Sequence, residues 1–137
     1  MVCLEPIGVA HTPWTDRWKA PRQGCEEMAL GRIELDPRWV GGLEGLRPGR
    51  WLWVLCHLDR AEEPQLLLHP RGDRSRPLTG LFNSRSPARP CPICLELVRL
   101  EALDGNLLTV RGLDVLDGTP VLDLKPYLPE LDRPREE

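Results

Sequence analysis

The chain has 137 residues, 41% of them hydrophobic and 28% charged, with a formal net charge of -3 and a pI near 5.7. That length suits one hydrophobic core and is too short for two ordinary domains, so a single domain over residues 1–137 is expected, with a core from about residue 5 to 130 and a frayed tail at 131–137. An acidic chain gives no global electrostatic case for nucleic-acid or membrane binding, and no apolar run approaches the roughly 20 residues of a membrane helix.

The five cysteines, Cys3, Cys25, Cys56, Cys91 and Cys94, are an odd number. The start Met1-Val2-Cys3-Leu4-Glu5 lacks the basic and long apolar regions of a secretory signal, so a reducing cytoplasm is expected. Fifteen prolines and twelve glycines are spread along the chain. Each proline removes a backbone donor and fixes φ, which favours short strands and many turns over long helices.

In chain order, short apolar segments recur at 7–10, 28–35, 51–58, 78–82, 95–103, 107–113 and 121–124. Their length and spacing predict an all-β, mostly antiparallel fold, a barrel or a sandwich. Trp14 and Trp18 lie in a proline-punctuated basic stretch, where they are candidates for stacking on a base. Asp36-Pro37 reads as an N-cap followed by proline at the first helical position, and Gly41-Gly42 restricts the segment to a short helical turn. Trp51 and Trp53 lie two apart on a strand, share one face, and read as core. His57 and Asp59 could be an acid/base pair, though polar residues at a strand end more often hydrogen bond at the surface.

From Arg71 to Arg89 there are five arginines (Arg71, Arg74, Arg76, Arg85, Arg89) against one acid, Asp73. Their guanidinium forks match phosphate or carboxylate geometry, and the same run also reads as a solvated loop whose arginines pair with acids elsewhere. Cys91-Pro92-Ile93-Cys94 has chelating or redox spacing. It lacks a second close-spaced pair for zinc, and it lacks the helical context that lowers a thiol pKa, so no metal is expected. Asp104-Gly105 between two apolar runs predicts a hairpin with a type I′ turn, and Asp117-Gly118 predicts a turn before a half-buried strand at 121–125. There is no G-x-G-x-x-G, P-loop, nucleophile elbow or H-E-x-x-H.

Several runs together resemble the YaeB/TsaA family. They are His69-Pro70-Arg71-Gly72-Asp73, Gly80-Leu81-Phe82-Asn83-Ser84-Arg85-Ser86-Pro87-Ala88-Arg89-Pro90, and Gly112-Leu113-Asp114-Val115-Leu116-Asp117-Gly118-Thr119-Pro120, continuing to Tyr127. Pro6-Ile7-Gly8-Val9, Pro21-Arg22-Gln23, Gly31-Arg32-Ile33-Glu34-Leu35 and Leu52-Trp53-Val54-Leu55 extend the likeness over nearly the whole chain. The resemblance implies a small β-barrel with short helical turns, unrelated to the Rossmann fold. It implies an S-adenosyl-L-methionine-dependent methyltransferase acting on N6 of threonylcarbamoyladenosine beside the tRNA anticodon, working as a homodimer. Many members carry a further C-terminal domain, and this chain resembles the minimal form.

Carried over residue by residue, the resemblance places the cofactor at Gly24, Cys25, Asp59, Arg60, Arg85, Leu95, Leu113, Asp114, Val115, Leu116 and Asp117, close to a dimer interface. Asp59 is the candidate proton acceptor and Arg85 the anchor. Arg71, Arg74, Arg76, Arg89, Lys125 and Tyr127 are expected on the substrate side, facing tRNA phosphate or a carboxylate. Cys91, Cys94 and Glu96 depart from the family's usual Asn-Pro-Ile-Gly-apolar-Ser run, with Glu96 expected to add negative charge where a hydroxyl is usual. Trp51 and Asp59 stand where histidines are usual. Two other readings stay open: a divergent paralogue that binds S-adenosylmethionine to act on a small molecule or to sense the cofactor, and a metal- or thiol-based protein using Cys91 and Cys94.

Overall fold

The computed structural model describes residues 1–15 and 29–136. Gly24, Cys25, Trp18 and the Pro21-Arg22-Gln23 run lie outside the described residues. The strands are β1 (Gly8–His11), β2 (Leu30–Leu35), β3 (Trp51–His57), β4 (Leu67–Leu68), β5 (Thr79–Gly80), β6 (Ile93–Asp104), β7 (Leu107–Arg111) and β8 (Pro120–Pro126). A single turn of helix, α1 (Pro129–Asp132), comes after them. Six strands close into an antiparallel barrel in the order β1, β2, β7, β6, β3, β8, while β4 and β5 pair separately. Pairing of Gly8 with Val121 seals the barrel and decides against a sandwich. Among the described residues no helix is long and apolar enough to cross a membrane.

The interior is set by strand alternation. Ile33 and Leu35 of β2, Leu52, Val54 and Cys56 of β3, Val98 and Leu100 of β6, Leu108 and Val110 of β7, and Val121 of β8 are buried in one cluster. Full burial of each aliphatic side chain contributes roughly 1.5–3 kcal/mol before chain entropy is set against it. Closing the barrel also demands close backbone approach at Gly8, where a Cβ would stand 2.4 Å from the Glu34 carbonyl oxygen.

Three sequence expectations are corrected. Trp51 and Trp53 do share a face, but it is the outer one: Trp51 is exposed, and Trp53 donates its Nε1 hydrogen to Asp132 at 3.0 Å while meeting Tyr127 edge-on at 5.8 Å. Residues 78–82 form only the two-residue β5 and then a 3-10 turn, Leu81–Asn83, rather than one strand. The β6–β7 hairpin closes at Gly105-Asn106, because Asp104 still pairs with Leu107. Positive φ there is confined to Gly105, which is the II′ pattern and not I′. The helical turn after Asp36 forms as expected, a 3-10 segment Pro37–Leu43 with the Asp36 carboxylate accepting from the Arg38 amide at 3.1 Å.

The connection from β7 to β8, residues 112–119, crosses the barrel end formed by the C-termini of β1 and β3 and the first half of β6. That crossing positions the site.

Candidate functional site

The turn before β8 is built by its own chemistry. Gly118 takes a φ of +86°, and the buried Thr119 hydroxyl donates back to the Leu116 carbonyl at 2.6 Å. The segment after β1 straps the outside of this turn. Thr12 donates its hydroxyl to the Val115 carbonyl at 2.8 Å and its amide to the Asp117 carboxylate at 3.0 Å, and the Asp117 amide donates to the Trp14 carbonyl at 2.6 Å. His11 stands 3.8 Å from the same carboxylate and 3.1 Å from Glu34.

Arg60, just past β3, reaches this turn from the other side. Its guanidinium donates to the Asp117 carbonyl at 2.8 Å and to the Thr119 hydroxyl at 3.2 Å, and lies 3.6 Å from Asp59. Asp59, Arg60 and the stretch from Leu113 to Asp117 are therefore gathered by the fold into one surface. Leu113, Asp114 and Val115 are its buried floor, while Leu116 and Asp117 are half-exposed.

A second group meets this floor from β6. Glu96 points into the barrel, 6% exposed, and its carboxyl hydrogen bonds to Asp114, 8% exposed. Burial, and then the Asp114 hydrogen bond and charge, push the Glu96 carboxyl up to about 11, against the opposing pull of Arg85. At neutral pH Glu96 is thus protonated and uncharged, which corrects the expected added negative charge. Arg85 approaches from the loop before β6 and its guanidinium lies 3.5 Å from the Leu95 carbonyl, whose own side chain faces outward. Arg85, Leu95, Glu96 and Asp114 thus lie on segments that adjoin the turn held by Asp117 and Arg60.

Other expected residues are placed differently. The Arg89 guanidinium donates to the carbonyls of Leu81, Ser84 and Ser86 at 3.4, 3.0 and 3.1 Å and stacks on Phe82, so it orders the loop it belongs to. Arg71, Arg74 and Arg76 are exposed on the turn after β4, with Arg76 lying 3.7 Å from Asp73. Lys125 pairs with Asp123 at 3.1 Å, and together with Tyr127 lies near the start of β3, at the opposite end of that strand from Arg60. A cavity of about 590 Å³ at that far end is lined by Trp39, Leu43, Leu46, Leu52 and Leu124, and takes in Lys125 but none of the expected cofactor residues.

Cys94 neighbours Cys56 across the β3–β6 ladder, while Cys91 is exposed. Among the described residues no three His, Cys, Asp or Glu side chains converge as a metal site. Sequence reasoning missed Thr12, Cys56 and Thr119 as parts of this end of the barrel. A Thr after Asp-Gly and before Pro was the legible signal for Thr119; the other two emerge only from strand register.

Residues 9–133 match the family described as the tRNA-methyltransferase O N-terminal domain. The chain is 40% identical over 129 residues to an S-adenosyl-L-methionine-binding protein of Archaeoglobus fulgidus, covering 94% of this chain and 91% of that one. It is 38% identical over 133 residues to a "Probable S-adenosyl-L-methionine-binding protein" of Pyrococcus abyssi, covering 96% of this chain and 71% of that one. The crystal structure of TrmO from Pseudomonas aeruginosa superposes with a TM-score of 0.80 at 33% identity, and this chain, covered in full, spans 60% of it.

Proposed function

The chain belongs to the tRNA-methyltransferase O N-terminal domain family, and from that premise we propose that it binds S-adenosyl-L-methionine and transfers the methyl group to a nitrogen of a tRNA adenosine. The observation that carries this reading is the contact of Arg60 with the Asp117 carbonyl and Thr119, which joins two segments 57 positions apart at one end of the barrel.

The donor set suits this cofactor. Arg60 and Arg85 offer guanidinium groups to a carboxylate, Asp59 and Asp117 offer carboxylates to ribose hydroxyls or an ammonium, and the exposed Leu95 offers an apolar face to adenine. Trp14 adds a buried Nε1 hydrogen without a partner among the described residues, beside the turn whose Asp117 amide it receives. Such orphan donors are rare in a finished structure and suit a site that takes a ligand.

The cofactor, when bound, supplies an electrophilic methyl on its sulfonium. The protein's part is alignment and exclusion of water, through a floor of Leu113, Asp114 and Val115 that is fixed before binding. Asp59, exposed beside Arg60, is the candidate in this reading to take the proton released by the acceptor nitrogen. Arg71, Arg74 and Arg76 face solvent where an RNA backbone could meet them, with Arg89 shaping the loop between. Exposed Leu66, Leu67, Leu78 and Phe82 around β4 and β5 suit a second copy of the chain and support a homodimer as the working form.

A second reading, in which the bound cofactor serves a small-molecule acceptor or a sensing role, rests on Cys94 and Glu96, which flank Leu95 and stand where the family resemblance implies small residues. Calorimetric titration with S-adenosylmethionine tests both readings. Binding in the micromolar range, about 8 kcal/mol at 1 μM, is expected, weakened in Arg85→Ala and Asp117→Ala. Absence of heat at millimolar cofactor removes both. Binding without transfer of labelled methyl to tRNA leaves the second.

A further inference from the structure

We infer that Cys56 and Cys94 are a disulfide-forming pair, a modification site built into the end of the β3–β6 ladder. The two residues face each other directly in the antiparallel register, and both lie on the inward side of their strands. The Leu58 amide donates to the Pro92 carbonyl at 2.8 Å and the Leu100 amide to the Arg50 carbonyl at 2.8 Å, which fixes the alternation of the ladder. Cys56 and Cys94 therefore occupy a hydrogen-bonded pair, where Cα atoms stand about 5.5 Å apart. That lies within the roughly 4.4–6.8 Å a disulfide spans between Cα atoms, and since such a pair holds its Cβ atoms nearer about 5.5 Å than the roughly 3.5–4.5 Å of a disulfide, the strand ends draw together by about 1 Å as the bond forms. Both side chains enter the same end of the barrel interior, Cys56 fully buried and Cys94 half-buried. The spacing of Cys91 and Cys94 suggests a pair in the sequence, but it is Cys56 that meets Cys94 in the fold.

The two thiols are chemically unequal. The hydrogen bond from Cys56 lowers the Cys94 thiol below its ordinary value, and the same bond together with burial raises Cys56. Cys94 is also the half-exposed member, while Cys56 is fully buried. The reaction is thiol–disulfide exchange with an external low-molecular-weight disulfide. The Cys94 thiolate attacks one sulfur of that disulfide, forming a mixed disulfide and releasing one thiolate. Cys56 then passes its proton to the released thiolate, attacks the Cys94 sulfur, and expels the second thiolate, which takes up the proton that Cys94 had lost. Two protein thiols are oxidised by two electrons, and the external disulfide is reduced to two thiols.

Methyl transfer plays no part in this chemistry, so the intact chain can be tested without cofactor. The protein is incubated with oxidised glutathione, denatured, alkylated and digested with trypsin. The expected product is a peptide of residues 51–60 linked to residues 86–99, with Cys3, Cys25 and Cys91 alkylated and the link reversed by reductant. Because Cys91 and Cys94 share a tryptic peptide, the exposed Cys91 is replaced in a Cys91→Ser variant, where the link must persist, and it must be lost in Cys94→Ser. A bond between Cys91 and Cys94, or full alkylation of all five cysteines after oxidation, overturns the inference.

Discussion

Glu96 and Asp114 form a hydrogen-bonded pair of carboxyl groups inside the barrel, at the floor of the candidate cofactor site. Glu96 holds the proton of this bond, because burial and the adjacent Asp114 both disfavour its charged form. The Glu96 side chain thus links β6, which carries Leu95, to the turn that carries Asp117.

The pair predicts a pH-dependent stability. Glu96 holds its proton up to about 11 in the folded chain, whereas the unfolded side chain releases it near the ordinary carboxylate value of about 4.3. Between those values the folded state binds more protons than the unfolded state, so this residue lowers stability as pH rises. Glu96→Gln keeps a donor toward Asp114 but does not titrate. It should stabilise the protein by roughly 1–3 kcal/mol at pH 7, with the gain shrinking toward zero near pH 4. Denaturant melts at the two pH values check this, and a variant less stable than the parent at pH 7 would show that Glu96 is ionised in the fold.

Arg60 should behave as a brace of the site. Arg60→Ala removes its bonds to the Asp117 carbonyl and the Thr119 hydroxyl, while the Leu116–Thr119 bond and the bonds from Thr12 still hold the turn. An affinity loss for S-adenosylmethionine of about tenfold, or ~1.4 kcal/mol, is expected with little change in melting temperature. Unchanged calorimetric affinity would place the cofactor elsewhere.

Two glycines should respond oppositely to a methyl group. Gly118 has φ +86° and open space around it, so Gly118→Ala meets only backbone strain and should destabilise by about 1–2 kcal/mol. Gly41, also in open space but within the Pro37–Leu43 turn and without positive φ, should tolerate Gly41→Ala or gain about 0.4–1 kcal/mol. Thermal melts of both variants decide, and equal effects would contradict the assignment.

If the exposed arginines after β4 meet tRNA, affinity must fall with salt, with a log-log slope of about -0.7 for each single-stranded phosphate contacted. The variant Arg74→Ala with Arg76→Ala should flatten that slope without changing cofactor affinity. Equal slopes in a filter-binding series, or no binding at low salt, would sink the tRNA reading and leave the small-molecule reading in front.

The strands of the barrel were legible one by one, since apolar runs between Pro and Gly breakers marked β1, β2, β3, β6, β7 and β8 within a few residues. The Asp117-Gly118 turn was legible for the same local reason: Gly118 supplies a φ that other residues resist. A two-residue pair such as β4 and β5 leaves no periodicity to detect, and so it was not legible.

Which face of each strand turns inward was a different matter. Period-two alternation states which residues share a face, but both faces of β3 and of β6 carry large apolar side chains. Trp51 and Trp53 compete with Leu52 and Val54, and Leu95 and Leu97 with Val98 and Leu100. Only closure of the barrel settles the choice, because the closed interior admits one set, and that set is the one compatible with Ile33, Leu108, Val110 and Val121 from neighbouring strands. The same closure carries Glu96 inward with Val98, brings it against Asp114, and sets Cys94 opposite Cys56. These residues were plain in the sequence, and their partners were fixed by register between segments far apart along the chain.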